Sequence, residues 1–497
     1  MDGAVWMQEN GEGVDLIDAR GALWRVDGVV AWDADGDALP ARVWVDGDHL
    51  RVEVDDSGAI YPIEVDPVYS TAAVSWTETS GALGTAVASA DVNGDGYSDV
   101  LVSASDYNLG EGRVYVFHGS DTGPLTTADT TLSGSSAGME FGGALASAGD
   151  VDQDGYDDVI IGAPGYSSGT GRAFVYHGSA SGLTSATTTL TGPSAASYFG
   201  ESVSGVGDVN GDDHDDIVIG AGGAGSGAGR AYVYMGTPSG VYSFLVGILY
   251  GTSNSQFGQS VSGAGDVNGD DYDDVIVGAS GYNGGEGRAS IHLGSGTGLT
   301  SAPATTLTGS ATGTLYAFSV AGAGDVNGDG YDDVIIGEYE GGTGGLAYVH
   351  LGSASGIEDT AALTLSGENP GDAFGYRVVG LSDVDGDGYD DVGIGASGYD
   401  ASAGRSYVHL GSAGGLAATS TEAYTGATAG DQSWVIGAAG DVNGDGADDI
   451  LVGSPAYSPG GLASLYLGIV LDVDGDEVPA RVDCDDEDAA VGAPDVR

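Results

Sequence analysis

The chain has 497 residues, of which 93 are glycine and 41% are hydrophobic, a composition typical of many short buried strands joined by tight turns and not of a disordered chain. Its 74 acidic and 12 basic residues give a formal net charge of -62, which makes nucleic acids and anionic membrane surfaces poor partners. No apolar run is long enough to span a bilayer, and a single cysteine, Cys484, excludes an internal disulfide framework.

The N-terminal part, residues 1–68, alternates apolar and polar residues around short turns and predicts a small β-rich segment. The strands expected there are Val14–Ile17, Ala41–Val45, Leu50–Val54 and Ile60–Val65. Residues 33–37 have the acidic spacing of a calcium loop, but Leu39 and Pro40 follow where a closing carboxylate is needed. A hairpin turn is therefore the favoured interpretation and a metal site the alternative. Because residues 1–3 lack the basic and apolar regions of a secretory signal, we expect the chain to be a fragment of a longer exported protein.

Residues 325–333 carry the clearest chemical signal. Side-chain oxygens of Asp325, Asn327, Asp329 and Asp333 occupy positions 1, 3, 5 and 9, and Gly330 allows the chain to turn sharply between them. Calcium takes six to eight oxygen ligands, and a loop of this spacing supplies them together with the carbonyl oxygen of position 7, which is Tyr331. The segment therefore predicts a calcium loop.

The same nine-residue pattern occurs seven times, at spacings of 58 or 59 residues, which indicates a repeat architecture. We number the copies loops 1 to 7 and expect about seven calcium ions. The candidate ligands at positions 1, 3, 5, 7 and 9 are Asp91, Asn93, Asp95, Tyr97 and Asp99 in loop 1; Asp150, Asp152, Asp154, Tyr156 and Asp158 in loop 2; Asp208, Asn210, Asp212, His214 and Asp216 in loop 3; Asp266, Asn268, Asp270, Tyr272 and Asp274 in loop 4; Asp325, Asn327, Asp329, Tyr331 and Asp333 in loop 5; Asp383, Asp385, Asp387, Tyr389 and Asp391 in loop 6; and Asp441, Asn443, Asp445, Ala447 and Asp449 in loop 7.

Each repeat offers four short strands and no helix signal, which predicts a blade of a β-propeller. In the second repeat an apolar stretch precedes the loop, Val159–Ile161 follows it, Arg172–His177 alternates, and Thr187–Leu190 is a polar outer strand. The seventh repeat lacks such an outer strand. We therefore expect residues 73–79 to pair as the outer strand of the last blade and close the ring.

Phe-Gly pairs recur before the first strands. They are Phe141-Gly142, Phe199-Gly200, Phe257-Gly258 and Phe374-Gly375, with Leu83-Gly84, Phe318-Ser319 and Trp434-Val435 as variants. Together with looser Gly-Ala-Pro triplets such as residues 162–164, they resemble the FG-GAP repeat of integrin alpha-subunit propellers and bacterial surface proteins over residues 69–469. The resemblance implies a seven-bladed propeller with its calcium loops on the face opposite the usual ligand-binding loops.

Other recurring residues are interpreted as structural. His118, His177, His292, His350 and His409 recur near the ends of third strands, and Arg113, Arg172, Arg230, Arg288 and Arg405 recur before them as expected blade or loop hydrogen bonders. Paired carboxylates such as Asp157-Asp158 are assigned to metal binding rather than to acid–base chemistry. Loops 3 and 4 place Asp213 and Asp271 at position 6, where the left-handed backbone region is expected.

The C-terminal residues 470–497 form an acidic tail that resembles a truncated thrombospondin type 3 repeat. Calcium binding by residues 472–488 and a solvated tail are both open, and Cys484 is free to pair with a missing continuation.

The sequence thus predicts an all-β chain: a small N-terminal β segment, a seven-bladed propeller over residues 69–469 and a short acidic tail. We expect a monomeric, calcium-binding, extracellular or cell-surface module that recognises a protein or glycan ligand in adhesion, without membrane insertion. No catalytic motif is present, so we expect no enzyme activity. The alternatives are a propeller within a calcium-dependent polysaccharide lyase or phospholipase, and a passive spacer.

Overall fold

The computed structural model describes residues 72–468 apart from 125, 185–186 and 243–246, and before residue 72 it describes the backbone of seven strands. Five of these N-terminal strands form an antiparallel sheet in the order β1-β2-β3-β4 with β7 also paired to β3, and β5 and β6 form a hairpin. Their bounds are Trp6–Glu9 (β1), Val14–Ile17 (β2), Leu23–Asp33 (β3), Ala38–Leu39 (β4), Ala41–Asp46 (β5), His49–Val54 (β6) and Ile63–Tyr69 (β7).

Three of the four expected N-terminal strands lie where the sequence predicts them. The fourth, β7, begins at Ile63 instead of Ile60 and continues to Tyr69. Strands β1, β3 and β4 were not predicted. In β3, Gly28 interrupts the apolar alternation, and the pairing register with β7 shifts between Val26 and Gly28.

The rest of the described chain contains seven antiparallel four-stranded sheets in sequential order, as expected for the blades of a propeller. The first strands are Leu83–Ala90 (β9), Ala144–Gly149 (β13), Val203–Gly205 (β17), Ser260–Gly265 (β21), Val320–Gly324 (β25), Phe374–Ser382 (β29) and Val435–Gly440 (β33). The second strands are Asp99–Ala104 (β10), Asp158–Ala163 (β14), Ile217–Ala221 (β18), Asp274–Ala279 (β22), Asp333–Glu338 (β26), Asp391–Ala396 (β30) and Asp449–Ser454 (β34). The third strands are Arg113–Phe117 (β11), Arg172–Tyr176 (β15), Arg230–Tyr234 (β19), Arg288–His292 (β23), Leu346–His350 (β27), Arg405–His409 (β31) and Leu462–Tyr466 (β35). The outer strands are Val74–Thr77 (β8), Thr130–Ser133 (β12), Thr187–Thr191 (β16), Gly247–Tyr250 (β20), Thr305–Thr308 (β24), Leu363–Ser366 (β28) and Glu422–Thr425 (β32).

Five short helical turns connect second and third strands, at Tyr107–Gly110, Tyr166–Gly169, Ala224–Gly227, Tyr282–Gly285 and Tyr399–Ser402. Each contains three residues at positive φ, so these segments are tight turns and not regular helices.

The core lies between neighbouring blades. Every residue of the second strand β14 is buried, whereas the third strand β15 alternates buried and half-buried residues. One cluster joins Val114 of the first blade to Phe141 and Ile161 of the second. The continuous apolar run of each second strand is therefore explained by burial on both faces.

First strands are rich in Gly, Ala and Ser because neighbouring backbones converge there. A Cβ placed on Gly322 would lie 2.8 Å from the carbonyl oxygen of Gly263 in the preceding blade. A larger side chain at this position would separate the two strands.

The Phe-Gly motif joins adjacent blades. The backbone of Phe199 forms a bridge to Gly171 in the preceding blade, while its ring packs edge-on against Tyr232 of its own blade at a centroid distance of 5.3 Å. The following Gly200 has φ 84, and a Cβ there would lie 2.3 Å from the carbonyl oxygen of Arg172. Glycine is required because the backbone is left-handed and the space is closed.

Two of the expected variant motifs were placed wrongly. In the fifth repeat Tyr316, and not Phe318, makes the bridge, to Gly287. In the seventh repeat Ser433 donates its backbone N–H to Ala403 O at 2.8 Å, as Phe374 does to Gly344 O at 2.9 Å. Phe318 and Trp434 therefore do not make the backbone contact of the motif to the preceding blade.

The predicted ring closure is confirmed. The last sheet has the order β33-β34-β35-β8, so an N-terminal strand is the outer strand of the seventh blade. The N–H of Ala73 donates to Leu465 O at 2.8 Å, and the hydroxyls of Ser75 and Ser464 are 3.0 Å apart.

Trp76 in this closing strand is only 5% exposed, and its ring stacks on Phe117 of the first blade at a centroid distance of 4.5 Å. We predict that Trp76→Ala lowers the free energy of unfolding by about 3–5 kcal/mol, because the truncation leaves a cavity at the closure. Urea denaturation measures the change. Trp76→Phe should retain most of the stability, and Thr77→Ala, at an exposed position of the same strand, should change it by less than about 0.5 kcal/mol. Equal stability of Trp76→Ala and Thr77→Ala would show that the closing strand does not hold the ring.

Candidate functional site

All seven acidic loops connect the first strand of a blade to the second. In loop 5 the carboxylate of Asp325 accepts the backbone N–H groups of Gly328, Asp329 and Gly330 at 2.7, 3.1 and 2.7 Å. Loops 1, 3, 4 and 7 have the same three bonds to the position 1 carboxylate, and in loops 2 and 6 this carboxylate accepts the N–H groups of positions 5 and 6. These bonds fix the loop backbone and the direction of its first carboxylate.

Positions 3 and 5 are oriented in the same way. The N–H of Asp329 donates to Oδ1 of Asn327 at 2.9 Å, and the N–H of Tyr331 donates to Oδ1 of Asp329 at 3.1 Å. In loop 2 the oxygens of Asp150, Asp152 and Asp154 lie within 4.8 Å of one another. Among the described residues, the other group of three converging carboxylates lies in loop 6, at Asp383, Asp385 and Asp391. The remaining loops carry Asn at position 3. This convergence of hard oxygen donors fits a divalent cation.

Position 9 is buried and fixed from two sides. Oδ1 of Asp333 accepts the N–H of Gly352 at 2.8 Å, and Oδ2 accepts the N–H of Val326 at 3.2 Å. In the metal-free protein, burial raises the pKa of Asp99, Asp216, Asp274 and Asp333 to about 7, of Asp449 to about 8 and of Asp391 to about 9. A buried carboxyl of this kind is stable only with a proton or with a neighbouring positive charge.

The position 8 carboxylates have a different role from the one expected. Oδ2 of Asp332 accepts the backbone N–H of Asp266 in the preceding loop at 2.8 Å, and its own N–H donates to Asp266 O at 3.2 Å. Equivalent side-chain bonds are made by Asp157, Asp215, Asp273 and Asp390. These residues join neighbouring loops. The position 9 carboxylate of each pair faces the interior of its own loop, and the position 8 carboxylate faces the preceding loop.

A glycine before the loop makes this link possible. Gly265 has φ 67, and a Cβ there would lie 2.0 Å from Oδ2 of Asp332. Where the ring closes, position 8 is Ser98, whose N–H donates to Asp441 O at 3.0 Å.

The other sequence expectations for the loops have the following outcomes. Asp213 and Asp271 have φ 67 and 66, as predicted for position 6. The position 7 N–H groups of His214 and Ala447 donate to the position 5 carboxylate, as those of the tyrosines do. The assignment of these seven residue sets as metal ligands stays a prediction. Residues 34–37 and 472–488, with Cys484, lie outside the described residues.

The five recurring histidines occupy two positions and not one. His292, His350 and His409 donate from Nδ1 to backbone carbonyls at 2.9 Å, and burial lowers the pKa of each. His118 and His177 come one residue later in the blade, after the third strand. Nδ1 of His177 lies 3.2 Å from Asp158, whose hydrogen bond raises the pKa of this histidine. A shared structural role is therefore correct for three of the five.

The recurring arginines stack mainly within their own blades. The guanidinium groups of Arg113, Arg172 and Arg288 each lie 3.7 Å from the ring centroid of a tyrosine in the preceding turn. Arg405 also forms a 2.8 Å ion pair with Glu368 of the preceding blade, so the expected blade-to-blade bond is found there.

A central cavity of about 500 Å³ is lined by the first strands of all seven blades. One end of the cavity lies where the first strands begin, away from the acidic loops. We call the lining residues at this end the channel mouth; they are Thr85, Gly143, Glu201, Gln259, Phe318, Tyr376 and Trp434. The channel mouth is asymmetric, because three neighbouring blades supply aromatic rings and the other four supply small or polar residues.

The three aromatic residues of the channel mouth form one cluster together with Tyr339. Tyr376 lies 5.0 Å from Phe318, 5.1 Å from Tyr339 and 4.7 Å from Trp434, measured between ring centroids. These four rings are half-buried, so part of each faces solvent.

Arg377 adds a positive charge to this cavity. Its Nε donates to Ile436 O at 2.8 Å, at a strand position where Ser260 and Ser319 accept a backbone N–H of the next blade. Sequence reasoning missed the aromatic cluster and Arg377. The available signals were the departures from Phe-Gly in repeats five and seven and an arginine away from the recurring position.

We predict that the metal-free protein loses stability as the pH rises from 7 to 9. The folded-state pKa of Asp391 and Asp449 is raised above the unfolded value, so in this window the unfolded chain is ionised while the folded protein still holds the protons. Their contribution to stability is complete below the unfolded pKa and declines with rising pH until these carboxyls ionise inside the fold. The histidines with lowered pKa are neutral in the folded state and largely neutral in the unfolded state over this window, and the raised pKa of His177 acts in the same direction as those of the carboxyls. Since one pKa unit corresponds to about 1.4 kcal/mol, the summed loss is on the order of a few kcal/mol.

Thermal melts in chelator at pH 7, 8 and 9 measure this dependence. Asp391→Asn, which does not titrate, should flatten the curve. A melting temperature that rises with pH in the metal-free wild type would contradict the assignment of buried, protonated carboxyls.

The FG-GAP repeat model matches residues 83–117, 141–176, 199–234, 257–292, 316–350, 374–409 and 433–470, which together are just over half of the chain. Among similar proteins, integrin alpha-IIb of Homo sapiens is 38% identical over 168 residues, covering 31% of this chain and 16% of the relative. Integrin alpha-4 of Xenopus laevis is 38% identical over 145 residues, covering 28% and 14%, and integrin alpha-8 of Mus musculus is 29% identical over 262 residues, covering 49% and 24%. The matches thus span less than a quarter of these relatives.

Two solved structures are also similar at low identity. Bacillus licheniformis rhamnogalacturonan lyase PL11 has a TM-score of 0.41 and 13% identity, covering 94% of this chain and 90% of that chain. Sqt1 from Chaetomium thermophilum has a TM-score of 0.46 and 14% identity, covering 81% and 100%. In the described part of this chain, none of the helices has the length and apolar character needed to cross a membrane.

The seven matched repeats coincide with the seven blades, each beginning at or next to the residue that bridges to the preceding blade. The chain belongs to the FG-GAP repeat family.

Proposed function

We propose that this chain is a calcium-stabilised adhesion or recognition module that works at the cell surface or outside the cell. The asymmetric aromatic channel mouth is the observation that carries the recognition role. The seven loops at the opposite ends of the first strands supply the calcium role.

Calcium is the ion that the loops fit best. Loop 5 offers the side-chain oxygens of Asp325, Asn327, Asp329 and Asp333 and the carbonyl oxygen of Tyr331, all of them the hard donors that calcium prefers. Backbone hydrogen bonds already orient the first three side chains, so little conformational entropy is lost when an ion binds. When bound, calcium supplies the positive charge that the buried position 9 carboxyl lacks.

The energetic effect of calcium is large for the fold as a whole. At a concentration one hundredfold above its dissociation constant, a ligand adds about 2.7 kcal/mol per site to the folded state. Several such sites together exceed the roughly 5–15 kcal/mol by which ordinary domains are stable. Extracellular calcium modules bind with constants of roughly 0.1–1 mM, which supports a location where calcium is abundant.

Ligand recognition is assigned to the channel mouth because symmetry is broken there. Aromatic rings such as Tyr376 and Trp434 offer rigid apolar faces at low entropic cost, and Arg377, Glu201 and Gln259 offer polar contacts around the same cavity. A protein loop or a glycan has this combination of apolar and polar surface. A passive spacer does not need such a channel mouth.

We retain the non-enzymatic assignment. The three carboxylate-containing groups that bring their donor atoms together in the described residues all belong to loops 2 and 6, where repetition and spacing favour metal binding. A role as the propeller domain of a polysaccharide lyase or phospholipase is therefore the less favoured alternative.

We predict that Asp329→Ala removes about one bound calcium ion and lowers the melting temperature measured in calcium, because an exposed loop carboxylate is lost without disturbing the core. Equilibrium dialysis counts the ions, and differential scanning calorimetry with calcium and with excess chelator measures stability. The wild type should lose most of its stability in chelator.

Asp332→Ala in the same loop is the matched control. It breaks the bond to Asp266 and should cost about 1–3 kcal/mol while leaving the ion count unchanged. Unchanged calcium binding by Asp329→Ala, or a chelator effect of only a few degrees, would contradict the calcium assignment.

We predict that Tyr376→Ala and Trp434→Ala each reduce binding to cells or glycan arrays at least about tenfold, as expected for aromatic side chains that a bound ligand buries. Tyr250→Ala serves as the control, since Tyr250 is 66% exposed on an outer strand. Asp329→Ala should retain binding in saturating calcium. If the wild type binds no cell surface, matrix protein or glycan, the spacer interpretation replaces the recognition role.

A further inference from the structure

Loop 2 differs from the other loops because a histidine nitrogen lies among its carboxylates. Nδ1 of His177 is 3.2 Å from Oδ2 of Asp158 and 3.3 Å from Oδ2 of Asp152. Calcium takes oxygen ligands, whereas imidazole combined with carboxylate suits borderline transition metals such as zinc. The donor set of this loop therefore favours a different ion from that of the other loops.

We propose that loop 2 is a selective site for a divalent transition metal of the zinc class, held by Asp152, Asp158 and His177. The inference replaces calcium by a transition metal in loop 2, because Asp152 and Asp158 are also expected calcium ligands there. It rests on the proposed function only in that the loops are taken to hold cations.

Two sequence differences coincide only in the second blade. The residue before the glycine that closes the third strand is His118, His177, Met235, Leu293, Leu351, Leu410 or Leu467 in blades one to seven. Position 3 of the loop is aspartate in loops 2 and 6 and asparagine in the others. Blade two thus has both the histidine and the additional carboxylate, blade one has only the histidine, and blade six has only the carboxylate.

The measured separations fit a shared metal. Zinc binds nitrogen and oxygen donors at about 2.0–2.2 Å, which places neighbouring donor atoms about 3.0–3.5 Å apart in tetrahedral or octahedral sites. The distances from His177 to the two carboxylates, 3.2 and 3.3 Å, lie in this range. Two of the three donor separations therefore match a shared metal, and all three donor atoms lie within 4.8 Å of one another.

The hydrogen bonds accepted by the loop 2 carboxylates also differ from those in the other loops. In the other six loops the position 9 carboxylate accepts the N–H of position 2 at 2.8–3.2 Å. In loop 2 the corresponding oxygen of Asp158 faces His177. Oδ1 of Asp152 is buried and has no hydrogen-bond partner in the described residues. Oδ2 of the same carboxylate faces His177, so a cation bound by both oxygens of Asp152 would satisfy Oδ1.

The ring of His177 is confined on its other side. Gly240 in the following blade has φ 88, and a Cβ there would lie 2.6 Å from Nε2 and 2.5 Å from Cε1 of His177. The turn at Gly240 therefore limits movement of the ring away from the carboxylates. Such confinement lowers the conformational entropy that binding must overcome.

The test is a zinc titration of the full chain in millimolar calcium, with X-ray absorption of the bound zinc. The wild type should bind one zinc ion whose shell contains an imidazole nitrogen. His177→Leu, which gives blade two the residue that blade six has naturally, should weaken that zinc site at least about tenfold, because lost metal-site residues cost this much or more.

A second variant tests gain of the site. Leu410→His adds a histidine beside Asp383, Asp385 and Asp391, whose oxygens already lie within 4.8 Å of one another, and should create a second zinc site. His118→Leu, beside a loop with Asn93, should leave zinc binding unchanged. Equal zinc affinity of the wild type and His177→Leu, or a zinc shell without nitrogen, overturns the inference.

Calcium stoichiometry measured on the same variants separates this inference from the calcium proposal. Retained calcium binding with zinc binding that does not depend on His177 refutes the zinc site alone. Zinc binding that depends on His177 in a chain that binds no calcium supports the zinc site and refutes the calcium role.

Discussion

The hydrogen bond between a position 8 carboxylate and the backbone of the preceding loop is the interaction on which this structure depends. Oδ2 of Asp332 reaches the N–H of Asp266, and four other aspartates make the same contact between neighbouring blades. A charged acceptor makes such a bond stronger than a neutral one. The acidic loops are therefore part of the contact between blades.

This arrangement brings many carboxylates together in a protein that is already highly acidic. The position 9 aspartates are buried between backbone donors, and their raised pKa values reflect the cost of holding an unpaired negative charge there. A proton or a cation relieves that cost. At neutral pH the raised pKa keeps a carboxyl such as Asp391 protonated in the metal-free protein, and ionising it inside the fold lowers stability.

The repeat also explains where function is to be sought. Residues that recur at one position, such as the stacked arginines and three of the histidines, have the same contacts in each blade. Departures from the repeat have different contacts: the channel mouth gathers Phe318, Tyr376 and Trp434, and His177 faces the carboxylates of loop 2. In a ring of near-identical blades, asymmetry is where specificity can arise.

The sequence by itself determined the number of blades, the four-strand unit, the spacing of the loop oxygens and the closure by an N-terminal strand. These features are local or periodic: a nine-residue loop, a strand alternation and a missing outer strand can all be read along the chain. Even Asp213 and Asp271 were correctly placed in the left-handed region, because the turn is contained within the loop.

Only the tertiary structure decided which residues of different blades meet. The roles of Asp157 and Asp158 separate because one faces the preceding loop, which lies 66 residues earlier in the chain. Likewise His118 and His177 occupy equivalent positions, but only in blade two does an aspartate at position 3 lie beside the histidine. The sequence places Phe318 and Trp434 in variant Phe-Gly motifs, whereas the strand register of the structure places them at the channel mouth. Such contacts depend on the register and convergence of separate strands, which periodicity along the chain does not encode.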